Sequence, residues 1–136
     1  MRYLLDTNAM SDLIRNPAGP VAGHVRRVGE DAVCTSIVVA AELRYGAAKK
    51  ASAKLSQRVE ALLADVAVLP LEPRADTEYG IIRAELETAG HPIGGNDLLI
   101  AAHARTLGAT LVTANTREFQ RVRGLAVENW LENRLE

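Results

Sequence analysis

The chain is predicted to fold as an α/β protein: one α/β/α sandwich spanning residues 1–136, built on a mainly parallel sheet. Three observations predict this. Strand-like and helix-like segments alternate from end to end, as in sheets covered by helices on both faces. The clearest strand candidates, Tyr3-Leu4-Leu5 and Ala109 to Thr113, are short and continuously apolar, the pattern of strands buried on both sides. No internal repeat, linker or low-complexity tract interrupts the alternation, and 136 residues with 48% apolar content suffice for one solid core.

The elements follow in order. Arg2 to Leu5 is a strand that stops at Asp6-Thr7-Asn8. Ala9 to Arg15 forms a short helix closed by Asn16-Pro17, and Gly19-Pro20 turns the chain into a second helix over Val21 to Val28. Ala32 to Ile37 is strand-like, and Ser36 caps a helix running to about Lys50. Ser52 opens another helix to about Ala64, with Leu55, Val59, Leu62 and Leu63 at helical spacing. Val66 to Leu71 is a short strand before Pro73, and Asp76 to Ala89 is an amphipathic helix closed by Gly90. After the loop His91 to Gly95, a helix runs from Asn96 to Leu107 and ends at Gly108. Ala109 to Thr113 is a strand, Asn115 to Arg121 a loop with a helical turn, and Leu125 to Val127 a last strand. Trp130 and Leu131 are expected to fold the tail back onto the body.

Composition excludes several function classes. No apolar run approaches the ~20 residues of a membrane span. No basic start leads into a hydrophobic stretch with a cleavage site, so a cytoplasmic location is expected. The single cysteine, Cys34, rules out a disulfide within the chain and reads as a small buried hydrophobe. The net charge of −1 rules out a basic coat for nucleic acid. Thirteen of the sixteen basic residues are nevertheless Arg, whose planar fork suits phosphate. Any nucleic-acid affinity must therefore be local.

The chemistry is carried by acids at strand-to-helix transitions. Asp6 ends the first strand, Asp97 lies in the first turn of a helix after Gly94-Gly95, and Glu118 follows the strand ending at Thr113. In parallel sheets, ligands collect beyond the carboxyl ends of the strands. Glu42, about a turn and a half into its helix, can reach the same rim. Carboxylates brought together raise one another's pKa, and a hard divalent cation such as Mg2+ or Mn2+ relieves the repulsion. Such an ion also activates water and neutralises a phosphodiester. Each acid also has a plain structural role: Asp6 as a helix cap, Asp97 favoured by the helix dipole, Glu42 and Glu118 as solvated helix and loop residues.

Four blocks carry a family resemblance: Leu5-Asp6-Thr7-Asn8, Ala41 to Ala47, Gly94 to Ala104 and Leu111 to Phe119, with Val122 to Trp130 closing the chain. Together and in this order they resemble a PIN domain, in particular the VapC toxins of bacterial toxin–antitoxin pairs. The resemblance implies an endoribonuclease using Mg2+ or Mn2+, with Asp6, Glu42 and Asp97 as metal-binding acids. It implies that Asn8 and Thr113 orient those carboxylates. The family commonly carries an aspartate near position 115, where this chain has Asn115; Glu118 is the nearest acid to replace it. The resemblance also implies a homodimer, a cognate VapB-like antitoxin, and a larger complex that binds operator DNA through the antitoxin.

Arg117, Arg121 and Arg123, close after Thr113, could steer a phosphate backbone or form a solvated loop. His103 reads as a packing or core hydrogen-bonding residue, His24 and His91 lack a ligand pattern, and Tyr45 suits RNA stacking or a dimer face. Two other functions compete. An aspartyl phosphotransferase would need a second acid where Asn8 stands and a lysine near the site, whereas Lys49, Lys50 and Lys54 share one helical region. A PIN-like RNA-binding or scaffold domain without catalysis is disfavoured by the three principal acids and kept open by Asn115.

Overall fold

A computed structural model describes residues 1–132. Five strands form one sheet in the order β3-β2-β1-β4-β5, with every pairing parallel. They are β1 (Tyr3–Leu5), β2 (Val33–Ser36), β3 (Ala67–Leu69), β4 (Thr110–Val112) and β5 (Val127–Glu128). The helices are α1 (Thr7–Arg15), α2 (Pro20–Val28), α3 (Ile37–Lys50), α4 (Ala53–Asp65), α5 (Ala75–Thr88), α6 (Gly95–Leu107) and the single turn α7 (Thr116–Phe119). The sheet is thus wholly parallel among the described residues, where the sequence predicts a mainly parallel one.

β1 is the central strand. Leu5 stands in register with Thr35 of β2 on one side and Val112 of β4 on the other. The Thr35 hydroxyl donates to the Leu5 carbonyl at 2.7 Å, and the Asp6 N–H donates to the Val112 carbonyl at 3.0 Å. From β1 the chain winds outward through β2 and β3, then crosses back to β4 and β5. The winding direction therefore reverses between β1 and β4, which opens a crevice at their carboxyl ends. Leu4, Leu5, Leu111 and Val112 are fully buried, as strands covered on both faces require.

Three helix starts follow from side-chain caps. Ser36 and Ser52 cap α3 and α4, as the sequence predicts, accepting from the N–H groups of Val38 and Leu55 at 3.1 Å each. α1 begins two residues earlier than predicted because Asp6 itself is its cap. β5 lies two residues later than the strand read over Leu125 to Val127. Gly124, at φ +76°, and a Leu125 N–H to Val122 carbonyl bond hold the preceding residues in a turn. The sequence also gave no sign of the 3-10 turn at Glu30–Ala32.

Trp130 does fold the tail back. Its side chain is 1% exposed, its ring lies 5.0 Å from Tyr3 and 5.1 Å from the stacked His24, and its indole N–H donates to Glu128 Oε1 at 2.9 Å. Cys34 is buried in β2, and burial pushes its thiol pKa up. Among the described residues no helix is long and apolar enough to cross a membrane.

Trp130→Ala should lower the unfolding free energy in urea by about 3–5 kcal/mol, the usual range for emptying a large aromatic site. Tyr45→Ala, at a side chain 65% exposed, should change it by less than about 0.5 kcal/mol.

Candidate active site

Asp6 leaves the central strand at the mouth of the crevice and is 5% exposed. Its Oδ1 accepts the Ala9 N–H at 2.9 Å, which caps α1. The capping role therefore holds and does not exclude a second one. Burial raises the Asp6 pKa and Glu42 adds to it, while the Thr113 hydroxyl and the backbone N–H groups of Ala9 and Asn8 oppose the rise. The fully buried Thr113 is well placed to donate, because its Oγ1 already accepts the Asn115 N–H at 2.9 Å. Asn8 supports Asp6 through its main chain; its side chain is exposed.

Asp97 is the third residue of α6, half-buried above the same crevice. Its pKa is pushed up to about 6, first by burial and then by the charges of Glu118, Glu42 and Asp6, in that order. All three acids lie near enough for their charges to act on Asp97. The helix dipole favours a charge at this position, yet burial and like-charge repulsion outweigh it.

Glu42 sits on the partly buried edge of α3 and is clamped from both sides. The Thr7 hydroxyl donates to Oε1 at 2.5 Å, and Asn96 Nδ2 approaches Oε2 at 3.3 Å. Thr7 opens α1 and Asn96 lies in the first turn of α6, so one carboxylate ties three helices together. Sequence reasoning missed both clamps; the available signal was that each directly neighbours a predicted acid. Glu118 lies in α7 with its Oε2 bonded by Asn115 Nδ2. Arg117 and Arg121 are exposed on and just after this turn.

The four acids thus share one rim. Among the described residues, none of them forms an ion pair with Lys, Arg or His. Their oxygens are hard donors of the kind Mg2+ and Mn2+ take. Among the described residues, no three His, Cys, Asp or Glu side chains are grouped tightly enough to hold an ion as they stand. The site is looser than the tight convergence that the sequence suggests. By their chemistry, all being carboxylate oxygens, the donors fit a hard divalent cation.

The other singled-out residues stand apart. His103 is 2% exposed, and its Nδ1 hydrogen-bonds Ser36 Oγ at 2.8 Å, the core bond expected for it. This Ser–His pair, which the sequence gives no hint of, is sealed from solvent and cannot attack a substrate. His24 packs on Trp130, His91 is exposed, and Arg123 offers its carbonyl to Arg105.

The PIN domain family model matches residues 3–125. The chain is 39% identical to the tRNA(fMet)-specific endonuclease VapC of Shigella flexneri, over 96% of this chain and 98% of that protein. It is likewise 39% identical to Ribonuclease VapC2 of Haemophilus influenzae, over 96% and 99% of the two chains. Among solved structures, VapBC2 of Rickettsia felis bound to a DNA fragment from its promoter superposes with a TM-score of 0.89 at 34% identity, covering 96% and 99%. The chain belongs to the PIN-domain family, among the VapC ribonucleases.

Proposed function

We propose that this protein is the toxin of a type II toxin–antitoxin pair, a Mg2+- or Mn2+-dependent endoribonuclease acting as one nuclease domain. The observation that carries the reading is the set of four acids without a basic partner at the switch point of the sheet. Membership of the VapC ribonucleases supplies the reaction class, hydrolysis of an RNA phosphodiester.

Asp6, Glu42 and Asp97 are the proposed metal-binding residues, with Glu118 completing the acidic rim. These carboxylates would hold Mg2+ or Mn2+, which when bound would offset charge at the phosphodiester and lower the pKa of a water. The protein supplies orientation. Thr113 and the first turn of α1 aim Asp6, Thr7 and Asn96 fix Glu42, and Asn115 holds Glu118 in place of the aspartate common in the family. Arg117 and Arg121, exposed on the α7 side, are proposed to attract the RNA backbone. An aspartyl phosphotransferase gains no support, since Lys49, Lys50 and Lys54 are all exposed on α3 and α4.

The proposed partners follow from surface features and from the relatives. A groove of about 250 Å³ runs from Glu42 along α1, α3 and α4, lined by Ile14, Leu43, Leu55 and Val59 with Arg15 and Lys50 at its edge. It suits an amphipathic segment of a VapB-like antitoxin, which would close the acidic rim from one side. The Rickettsia felis structure, a VapBC pair on promoter DNA, supports an operator-bound complex formed through the antitoxin. Ile37 and Tyr45, exposed on one side of α3, support a homodimer. A bacterial cytoplasm is the proposed location.

Purified protein should cleave RNA with Mn2+ or Mg2+ and stop in EDTA. Asp6→Ala and Asp97→Ala should each lower kcat/KM at least ~100-fold with the fold retained by circular dichroism. Normal cleavage by both variants would refute the assignment of these acids.

Asp97 also sets a pH dependence. Its folded pKa of about 6 lies above the ordinary 3.8, so between those values the native state keeps a proton the unfolded chain has lost. Stability in EDTA therefore falls as pH rises through that window. Asp97→Asn should flatten that part of the slope and leave the metal-free protein more stable than wild type at pH 7, read from urea midpoints. Equal slopes in the two proteins would contradict the raised value.

A further inference from the structure

The Ser36–His103 pair joins the two helices that carry Glu42 and Asp97. Ser36 ends β2 and caps α3, while His103 lies two turns beyond Asp97 on α6. Ser36 is fully buried and His103 is 2% exposed. Ser36 Oγ accepts the Val38 N–H at 3.1 Å and lies 2.8 Å from His103 Nδ1. A Ser36 hydroxyl donating to Nδ1 puts the ring proton on Nε2. Nε2 is buried without a hydrogen-bond partner, and the Pro70 carbonyl, just past β3, lies close to the ring.

We propose that His103 is a positioning residue: its bond to the Ser36 hydroxyl fixes α6 against the first turn of α3, and so sets how Asp97 meets Glu42. The bond spans 67 residues of sequence and lies wholly inside the core, where a hydrogen bond has one geometry rather than many. A slip of α6 along α3 would move Asp97 while leaving Glu42 in the grip of Thr7. His103 touches neither substrate nor acid, and its effect passes through the two helices alone. The inference rests on the reading that Asp97 and Glu42 serve one metal-dependent site.

The test uses the intact protein. Nitrogen NMR of labelled histidine should show His103 as the neutral Nε2–H tautomer; an Nδ1–H tautomer or an imidazolium at pH 7 would overturn the proposed bond. His103→Leu should weaken Mn2+ binding, measured by electron paramagnetic resonance, and lower kcat by about tenfold to a hundredfold with KM little changed. His103→Asn, whose amide oxygen falls near the Nδ1 position, should restore most of both. His103→Gln, which reaches the Nε2 position instead, should not. A purely structural residue would give a His103→Leu protein that melts earlier yet binds Mn2+ and cleaves like wild type, or a Gln variant that recovers as well as Asn. If His103→Leu fails to fold, the Asn and Gln variants decide. If the wild type binds no Mn2+, the metal reading fails, and the positioning claim is judged on the imidazole tautomer and kcat.

Discussion

The structure depends on β1 being held from both sides at the middle of a parallel sheet. Its neighbours β2 and β4 satisfy its main chain, and the last of those bonds, from the Asp6 N–H to the Val112 carbonyl, fixes where the strand ends. An unpaired backbone in this position would lie buried without partners, a costly state. The chain therefore has almost no freedom in where Asp6 emerges. It emerges at the reversal of winding, where α1, α6 and α7 also begin, so each helix delivers a polar first turn to the same rim. Asp6, Thr7, Asn96, Asp97 and Glu118 all come from such first turns or caps.

The rim carries an electrostatic tension that the fold does not relieve. Asp97 is raised to about 6 and Asp6 is raised by burial, and the hydroxyls and amides around them orient the carboxylates without cancelling their charge. Thr7, Asn96, Thr113 and Asn115 are neutral donors. Neutral donors keep each oxygen acting as an acceptor, while a Lys or Arg would compete with a cation for the same lone pairs. Sites that oppose folding while preparing chemistry are the usual form of a trade between stability and activity.

Much of this was legible in the residues. Apolar runs gave the central strands, and Ser36, Ser52 and Gly108 marked helix ends through local chemistry that needs no tertiary context. The placing of Asp6 and Glu118 was readable because both sit where strands turn into helices; Asp97, expected at such a turn too, instead opens α6 after helix α5, with no strand before it. The misses share a cause. β5 is a two-residue edge strand, fixed by pairing to β4 and by the turn at Gly124 more than by its own composition. The clamps on Glu42 and the Ser36–His103 bond join side chains 35 to 67 residues apart, and single-sequence periodicity carries no information about such pairs. Asn8 shows the limit from the other side: its place beside Asp6 was plain, but its contribution comes from the backbone.

The central claim is that the acidic rim exists to hold a divalent cation. Anomalous scattering at the manganese edge, from crystals of the protein equilibrated with Mn2+ near pH 7.5, tests it most directly. The account predicts a peak within bonding distance of both the Asp6 and Asp97 carboxylates, weakened at pH 5 where Asp97 keeps its proton. A saturating Mn2+ concentration that leaves no peak at this rim, or places the ion away from both aspartates, would contradict it.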